Sequence, residues 1–83
     1  MKVIVKYFAS IREAVGVSSE VLETQAATLE ALRDELIARG GVHAQSLGRG
    51  RAVRVALNQV MSDEATALWD EAEVAFFPPV TGG

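Results

Sequence analysis

The sequence ends on Phe76-Phe77-Pro78-Pro79-Val80-Thr81-Gly82-Gly83, and the group there with usable chemistry is the carboxylate of Gly83. A carboxylate is a poor electrophile until one of its oxygens becomes a good leaving group, and formation of an acyl phosphate provides this before a nucleophile attacks. Glycine suits the position, because a backbone without Cβ enters a narrow channel and leaves its carbonyl open. Fully extended, the stretch from Pro78 to Gly83 reaches ~20 Å at ~3.3 to 3.6 Å per residue, enough to enter a partner's pocket. The two prolines stiffen the base of that reach and lower the entropy lost on insertion. The plain alternative is a frayed terminus or a cloning remnant, since terminal residues are commonly disordered. Against it, the stretch continues directly from a strand pattern.

Other chemistry is sparse. The chain has no cysteine, which excludes disulfides, thiolate metal sites, iron–sulfur ligation and a thiol nucleophile. His43 is the only histidine and has no partner at ligand spacing, so a surface or loop role is expected for it and no metal site. Gly48-Arg49-Gly50-Arg51 lacks the Lys-Ser/Thr and the strand-to-helix setting of a P-loop. It reads as a turn that could lend arginines to a partner. Asp63, Glu64, Asp70, Glu71 and Glu73 read as a solvated acidic edge facing a basic partner rather than a cation site.

The elements that must position the tail fit in one small domain of 83 residues. With 49% apolar and 23% charged residues the chain is expected to fold alone. A net charge of −3 argues against a nucleic-acid partner. Met1 leads into a segment too short for a signal-peptide core or a membrane span, so no membrane association and a cytoplasmic protein are expected.

Lys2 to Phe8 reads as a strand with Val3, Val5 and Tyr7 on one face and Ile4, Lys6 and Phe8 on the other, wetter one. Ser10 and Glu13 have capping-box spacing, and Gly16 can close the short turn that follows. SSEVLET predicts a second, antiparallel strand. Thr28 is a natural N-cap for LEALRDELIAR, whose Leu29, Leu32, Leu36 and Ile37 share one face, with Arg39 and Gly40 as stop signals. Loosely patterned sequence then runs to Arg51. Val53, Val55 and Leu57 alternate with Arg54, Ala56 and Asn58 as in a half-buried strand, and Asn58-Gln59 turns into a brief strand at Val60 and Met61. Ser62 to Glu71 reads as an acidic loop with a helical turn, anchored by Leu68 or Trp69. Glu73 to Phe77 is the last strand, and Pro78 ends it. This order predicts an α+β fold, a mixed sheet with one main helix packed across it, the β-grasp or ubiquitin-like arrangement. The domain would span residues 1–77, with 78–83 as an extended tail.

Placed on that arrangement, Phe76 to Gly83, preceded by Glu73-Val74-Ala75, resembles the C-terminus of the molybdopterin synthase small subunit, the MoaD family of ubiquitin-like sulfur carriers. The likeness extends to Phe8-Ala9, Ile11-Arg12-Glu13, Leu29-Glu30-Ala31-Leu32-Arg33 and Ala56-Leu57-Asn58-Gln59, and so spans the chain. A terminal Gly-Gly alone is common to ubiquitin-like carriers, whereas FFPPVTGG is far more specific. One departure is Asp70-Glu71-Ala72-Glu73, where many members have a glycine in the turn before the last strand.

The resemblance implies a non-catalytic subunit of a heterotetramer. An activating enzyme uses ATP to adenylate the Gly83 carboxylate, and sulfur from a donor protein converts it to a thiocarboxylate. A large catalytic subunit then uses that sulfur to build the dithiolene of molybdopterin from a cyclic pyranopterin precursor, two carriers delivering two sulfurs. The resemblance further implies that Pro78, Pro79, Val80, Thr81 and Gly82 thread into the partner and that Phe8, Arg12, Met61 and Phe77 lie against the large subunit. No cofactor is expected on the chain itself. Two other functions share the fold and the Gly-Gly ending: carriage of sulfur for thiamin, cysteine or tRNA, and conjugation through Gly83 as a protein modifier.

Strand alternation gives the interface reading separate support. Phe77 falls opposite Val74 and Phe76, and Phe8 falls with Lys6, so two aromatics share the wetter side of strands that are adjacent in a β-grasp sheet. A paired aromatic patch of this kind points to a protein interface, with ordinary core packing as the competitor.

Overall fold

The computed structural model describes residues 1–79; the expectations for Val80, Thr81, Gly82 and Gly83 lie outside the described residues. The element order is β1 (Lys2–Tyr7), α1 (Ala9–Val15), β2 (Ser19–Glu23), α2 (Leu29–Ile37), α3 (Gly41–Leu47), β3 (Arg54–Leu57), β4 (Val60–Met61) and β5 (Glu73–Phe77). The strands form one mixed sheet in the order β2-β1-β5-β3-β4, with β1 and β5 parallel and the other neighbours antiparallel. Helices cover one face. This is the expected β-grasp fold, and it places β5 at the centre of the sheet.

The core forms where two periodicities meet. Val3, Val5 and Tyr7 of β1 and Val74 and Phe76 of β5 point to the helical side, where Leu29, Leu32 and Leu36 of α2 are fully buried against them. Burial of each such side chain stabilises the fold by ~1.5–3 kcal/mol. Thr28 caps α2 as expected, its hydroxyl accepting from the Ala31 amide at 3.2 Å. Gly16 closes α1 at φ 90°, a conformation that costs a residue with Cβ but not glycine.

Four details of the sequence reading are corrected. Ser10 does not cap α1: the helix starts two residues earlier, with Phe8 at the N-cap and no side-chain cap bond, so Ser10 lies inside the first turn. The stretch before Arg51 is not all irregular, since Gly41–Leu47 forms α3. His43 accordingly sits on that helix, not in a loop. Its ring packs edge-on against Tyr7 with centroids 6.1 Å apart.

The acidic residues do not form one solvated edge. Glu64 pairs with Arg33 and Arg49, Glu73 with Lys6, Asp70 accepts from the Lys2 amide, and Asp63 caps its own turn. Only Glu64 and Glu73 are charge-compensated among the described residues, while Asp63, Asp70 and Glu71 are exposed. In the same loop, Leu68 packs on the core while Trp69 is half-exposed.

Arg33 explains why α3 forms despite its weak pattern. Its side chain is buried on α2, and the guanidinium donates to the carbonyls of Leu47, Gly48 and Arg51 at 2.7, 2.9 and 3.3 Å. The last helical carbonyls, which have no partner within a helix, are thereby satisfied from a neighbouring element. Glu64 neutralises the charge from the far side at 2.8 Å. Burial pushes the Glu64 carboxyl up, and the bonds from Arg49 and Arg33 overcome that and hold it below its ordinary range. Gly48 fits closely here, because a Cβ would lie 2.7 Å from the Ala44 carbonyl oxygen.

Candidate functional site

The site is assembled at the end of the sheet from which the chain leaves β5. Since β1 and β5 run parallel, with Tyr7 aligned with Phe76, both strands finish at the same edge. The Phe8 amide donates to the Phe76 carbonyl at 3.1 Å, which fixes Phe8 beside Phe77. The two rings meet edge to face, centroids 6.5 Å apart at 89°. Both lie on the face that no helix covers, as alternation predicts.

Antiparallel pairing brings the rest. Ala75 aligns with Ala56, and Ala56 with Met61, so all three share the face of Phe77. Phe8, Phe77, Met61, Ala56, Ala75 and Gln59 line an open depression of about 490 Å³. Phe8 is 44% and Met61 53% exposed, well above the 1% of Phe76 on the opposite face. Small residues at Ala56 and Ala75 make the floor, and the aromatics and Met61 make the walls. Lys6 and Glu73 close the remaining side as an ion pair at 3.5 Å.

The hairpin that presents Met61 is held by Asn58 and Gln59, both left-handed at φ 47° and 69°, the turn type that matches strand twist. Asn58 is also bonded to the start of β5: its amide donates to the Glu73 carbonyl and its side-chain oxygen accepts from the Glu73 amide, each at 2.8 Å. Glu71, in the turn where a glycine was expected, adopts φ 67° and donates its amide to the Lys2 carbonyl. Glu71 thus holds a left-handed conformation that glycine adopts without strain, at an expected conformational cost of ~1–2 kcal/mol.

On the helical side, a polar cluster steadies the end of β1. The Tyr7 hydroxyl donates to Glu20 at 2.8 Å, and Glu20 also pairs with Arg39 at 2.9 Å and lies 3.8 Å from His43. Burial, then the bond to Glu20, pushes the Tyr7 hydroxyl far above its ordinary value. Burial raises Glu20 as well, but Tyr7, Arg39 and His43 together bring it below its usual range.

Of the residues expected at a partner interface, Phe8, Met61 and Phe77 come together in one depression. Arg12 does not line it; exposed on α1, it borders a smaller hollow shared with Lys6, Tyr7 and Phe8. Lys6 and Gln59 belong to the site and were not assigned to it from sequence, and Glu73, read as part of an acidic edge, joins them; their place follows from strand register once the pairing is known. Pro78 and Pro79 are half-buried. Pro78 lines a second cavity of about 290 Å³ with Ser10, Ile11 and Ala14 of α1 and Gln45 and Ser46 of α3, bordered by Arg51. The described residues contain no cluster of three or more potential metal ligands, and no helix among them is long and apolar enough to cross a membrane.

Comparison with known proteins gives a consistent result. The ThiS family matches residues 5–83. The molybdopterin synthase sulfur carrier subunit of Haemophilus influenzae is 43% identical over 79 residues, covering 95% of this chain and 96% of the relative. The subunit of the same name from Escherichia coli is 40% identical over the same extents. Among solved structures, the complex of subunits 1 and 2 of the molybdopterin-converting factor from Helicobacter pylori contains a chain 30% identical to this one, with a TM-score of 0.69 and full coverage of both chains. Family match, near-complete coverage and shared fold agree: the chain belongs to the ThiS family of ubiquitin-like proteins, together with the molybdopterin synthase sulfur carrier subunits.

Proposed function

We propose that this chain is the sulfur-carrier subunit of a molybdopterin synthase, with the Gly83 carboxylate as the atom group that is adenylated, thiocarboxylated and then used as the sulfur donor. The observation that carries the reading is the position of β5. A central strand, pinned on both sides, ends at Phe77 and leads into Pro78 and Pro79 beside an uncovered apolar face. Such a root holds the base of the tail still, so a partner seated on Phe8, Met61 and Phe77 receives the tail in a defined direction. The names and near-complete coverage of the relatives support the same assignment.

In this mechanism the chain acts as a reagent rather than a catalyst. ATP bound by an activating enzyme converts the carboxylate to an acyl adenylate, expelling pyrophosphate. Sulfide sulfur from a donor protein displaces AMP to leave the thiocarboxylate. The large subunit then directs that sulfur to the pterin precursor, and the Gly83 carboxylate is regenerated by water. The chain contributes a carbonyl without Cβ crowding, a stiff proline base and the docking face.

Rescue of a strain lacking the molybdopterin synthase small subunit tests the assignment, and restored molybdoenzyme activity is the expected outcome. Intact mass after incubation with ATP, activating enzyme and a sulfur source should show a thiocarboxylate at Gly83. A thiocarboxylate without rescue would assign the chain to another sulfur pathway. Conjugation to lysine with no sulfur incorporation would make it a protein modifier.

A further inference from the structure

The arginines divide into two groups by their surroundings. Arg33, Arg39 and Arg49 are each paired with a carboxylate of the chain: Arg33 with Glu64, Arg39 with Glu20, and Arg49 with Asp34 and Glu64. Arg12, Arg51 and Arg54 have no ion pair among the described residues, and all three are exposed. Yet these three are not scattered. Arg54 aligns with Phe77 across the β3–β5 ladder, so it projects from the uncovered face at the last strand residue before the tail. Arg51 borders the cavity formed by α1, α3 and Pro78, on the other flank of the same root. Arg12 lies beside Phe8. In a chain of net charge −3, the uncompensated arginines gather where the tail leaves the fold.

We propose that Arg51 and Arg54 form a cationic collar at the tail root that docks on carboxylates at the rim of the tail-receiving channel of the synthase large subunit. The proposal rests on the functional reading above and names the chemistry of the partner surface. A phosphate-bearing reactant at Gly83 is not the ligand. In the extended conformation that threading requires, the four residues after Pro79 would span ~13–14 Å and so carry the reacting end well away from side chains at the root. What lies against the root while the tail is threaded is the mouth of the channel. Guanidinium groups covered there without counter-charges would lose hydration uncompensated, whereas paired carboxylates on the rim satisfy them and their planar donors. The collar also adjoins the apolar depression, so one partner surface with an apolar centre and an acidic rim covers both. Charges at such a rim act mainly on the rate and orientation of encounter.

The test compares the wild-type chain with Arg51→Glu/Arg54→Glu and Arg51→Gln/Arg54→Gln double variants, binding the purified large subunit across a range of ionic strength. Association of the charge-reversed variant should slow about tenfold at low salt, with the glutamine pair intermediate and the difference shrinking as salt screens it. Dissociation should change less. Both side chains are exposed, so melting temperatures should match wild type, and the glutamine pair keeps the test valid if reversal perturbs folding. Phe77→Ala is the contrast, expected to speed dissociation while keeping the wild-type salt dependence. Equal association rates and salt dependence for wild type and both double variants would overturn the collar alone. A defect confined to the activating enzyme would overturn its assignment to the large subunit. A wild-type chain that does not bind the large subunit at all would overturn the functional reading itself.

Discussion

Phe76 and Phe77 are consecutive in β5, yet Phe76 is 1% exposed in the core while Phe77 faces Phe8 on the side no helix covers. Strand alternation puts one aromatic in the core and its neighbour on the uncovered face.

Phe76→Ala should therefore destabilise the fold by ~3–5 kcal/mol through lost transfer energy and the cavity left behind. Phe77→Ala should leave the melting temperature nearly unchanged and weaken binding to the large subunit. Denaturant titration and a binding isotherm on both variants check the pair. Equal stability losses would mean that the uncovered face contributes to the core.

Arg33→Met should destabilise by ~3–5 kcal/mol, because it leaves Glu64 without its buried counter-charge and three carbonyls without a donor. Amide hydrogen exchange should locate the damage at α3 and the loop following it. Loss confined to α2 would show that α3 is held by Leu47 packing alone.

The pH profile of stability has a distinct sign at each end. Glu20 and Glu64 are held below their ordinary value of 4.5, so their contribution is complete above that value and is lost as pH falls through the lower folded value. Tyr7 is held above its ordinary 10.0, so the fold favours its neutral form, and stability declines as pH rises beyond that value. Glu20→Gln should flatten part of the acid limb, and Tyr7→Phe should remove the Tyr7 component of the alkaline limb. Thermal melts from pH 3 to 11 would reveal both.

Gly82→Val keeps the chain length, charge and terminal carboxylate while adding a β-branched side chain where the proposed mechanism requires the tail to thread a narrow channel. The melting temperature should stay normal while adenylation, sulfur transfer or both fall strongly, and the failing step identifies the narrower channel. Wild-type rates at every step would reject the steric reason for the double glycine. Deletion of Gly83, or an uncleaved residue added after it, should abolish transfer by removing or displacing the carboxylate ~3.5 Å.

Local rules made much of the architecture legible in the sequence. The alternation of Lys2–Phe8 and Glu73–Phe77, the Thr28 cap with the Leu29-Leu32-Leu36 face, and the Asn58-Gln59 turn each depend on a few neighbouring residues, and the structure keeps all of them. The family was legible because the tail motif lies in residue type and order, and the relatives bear it out. Tertiary structure decided the rest. Gly41–Leu47 is flanked by Gly40 and Gly48 and has a weak apolar pattern, and it is helical because Leu47 is buried and Arg33, from another element, satisfies the carbonyls at its end. The acids from Asp63 to Glu73 look like one field in sequence, but Glu64 and Glu73 are neutralised by Arg33, Arg49 and Lys6, which arrive from elsewhere in the chain. The grouping of Arg51 and Arg54 around the tail follows from the β3–β5 register and the packing of Pro78 near α1 and α3. Side-chain periodicity is a property of one segment, whereas charge compensation depends on which segments meet. Only the folded chain determines that.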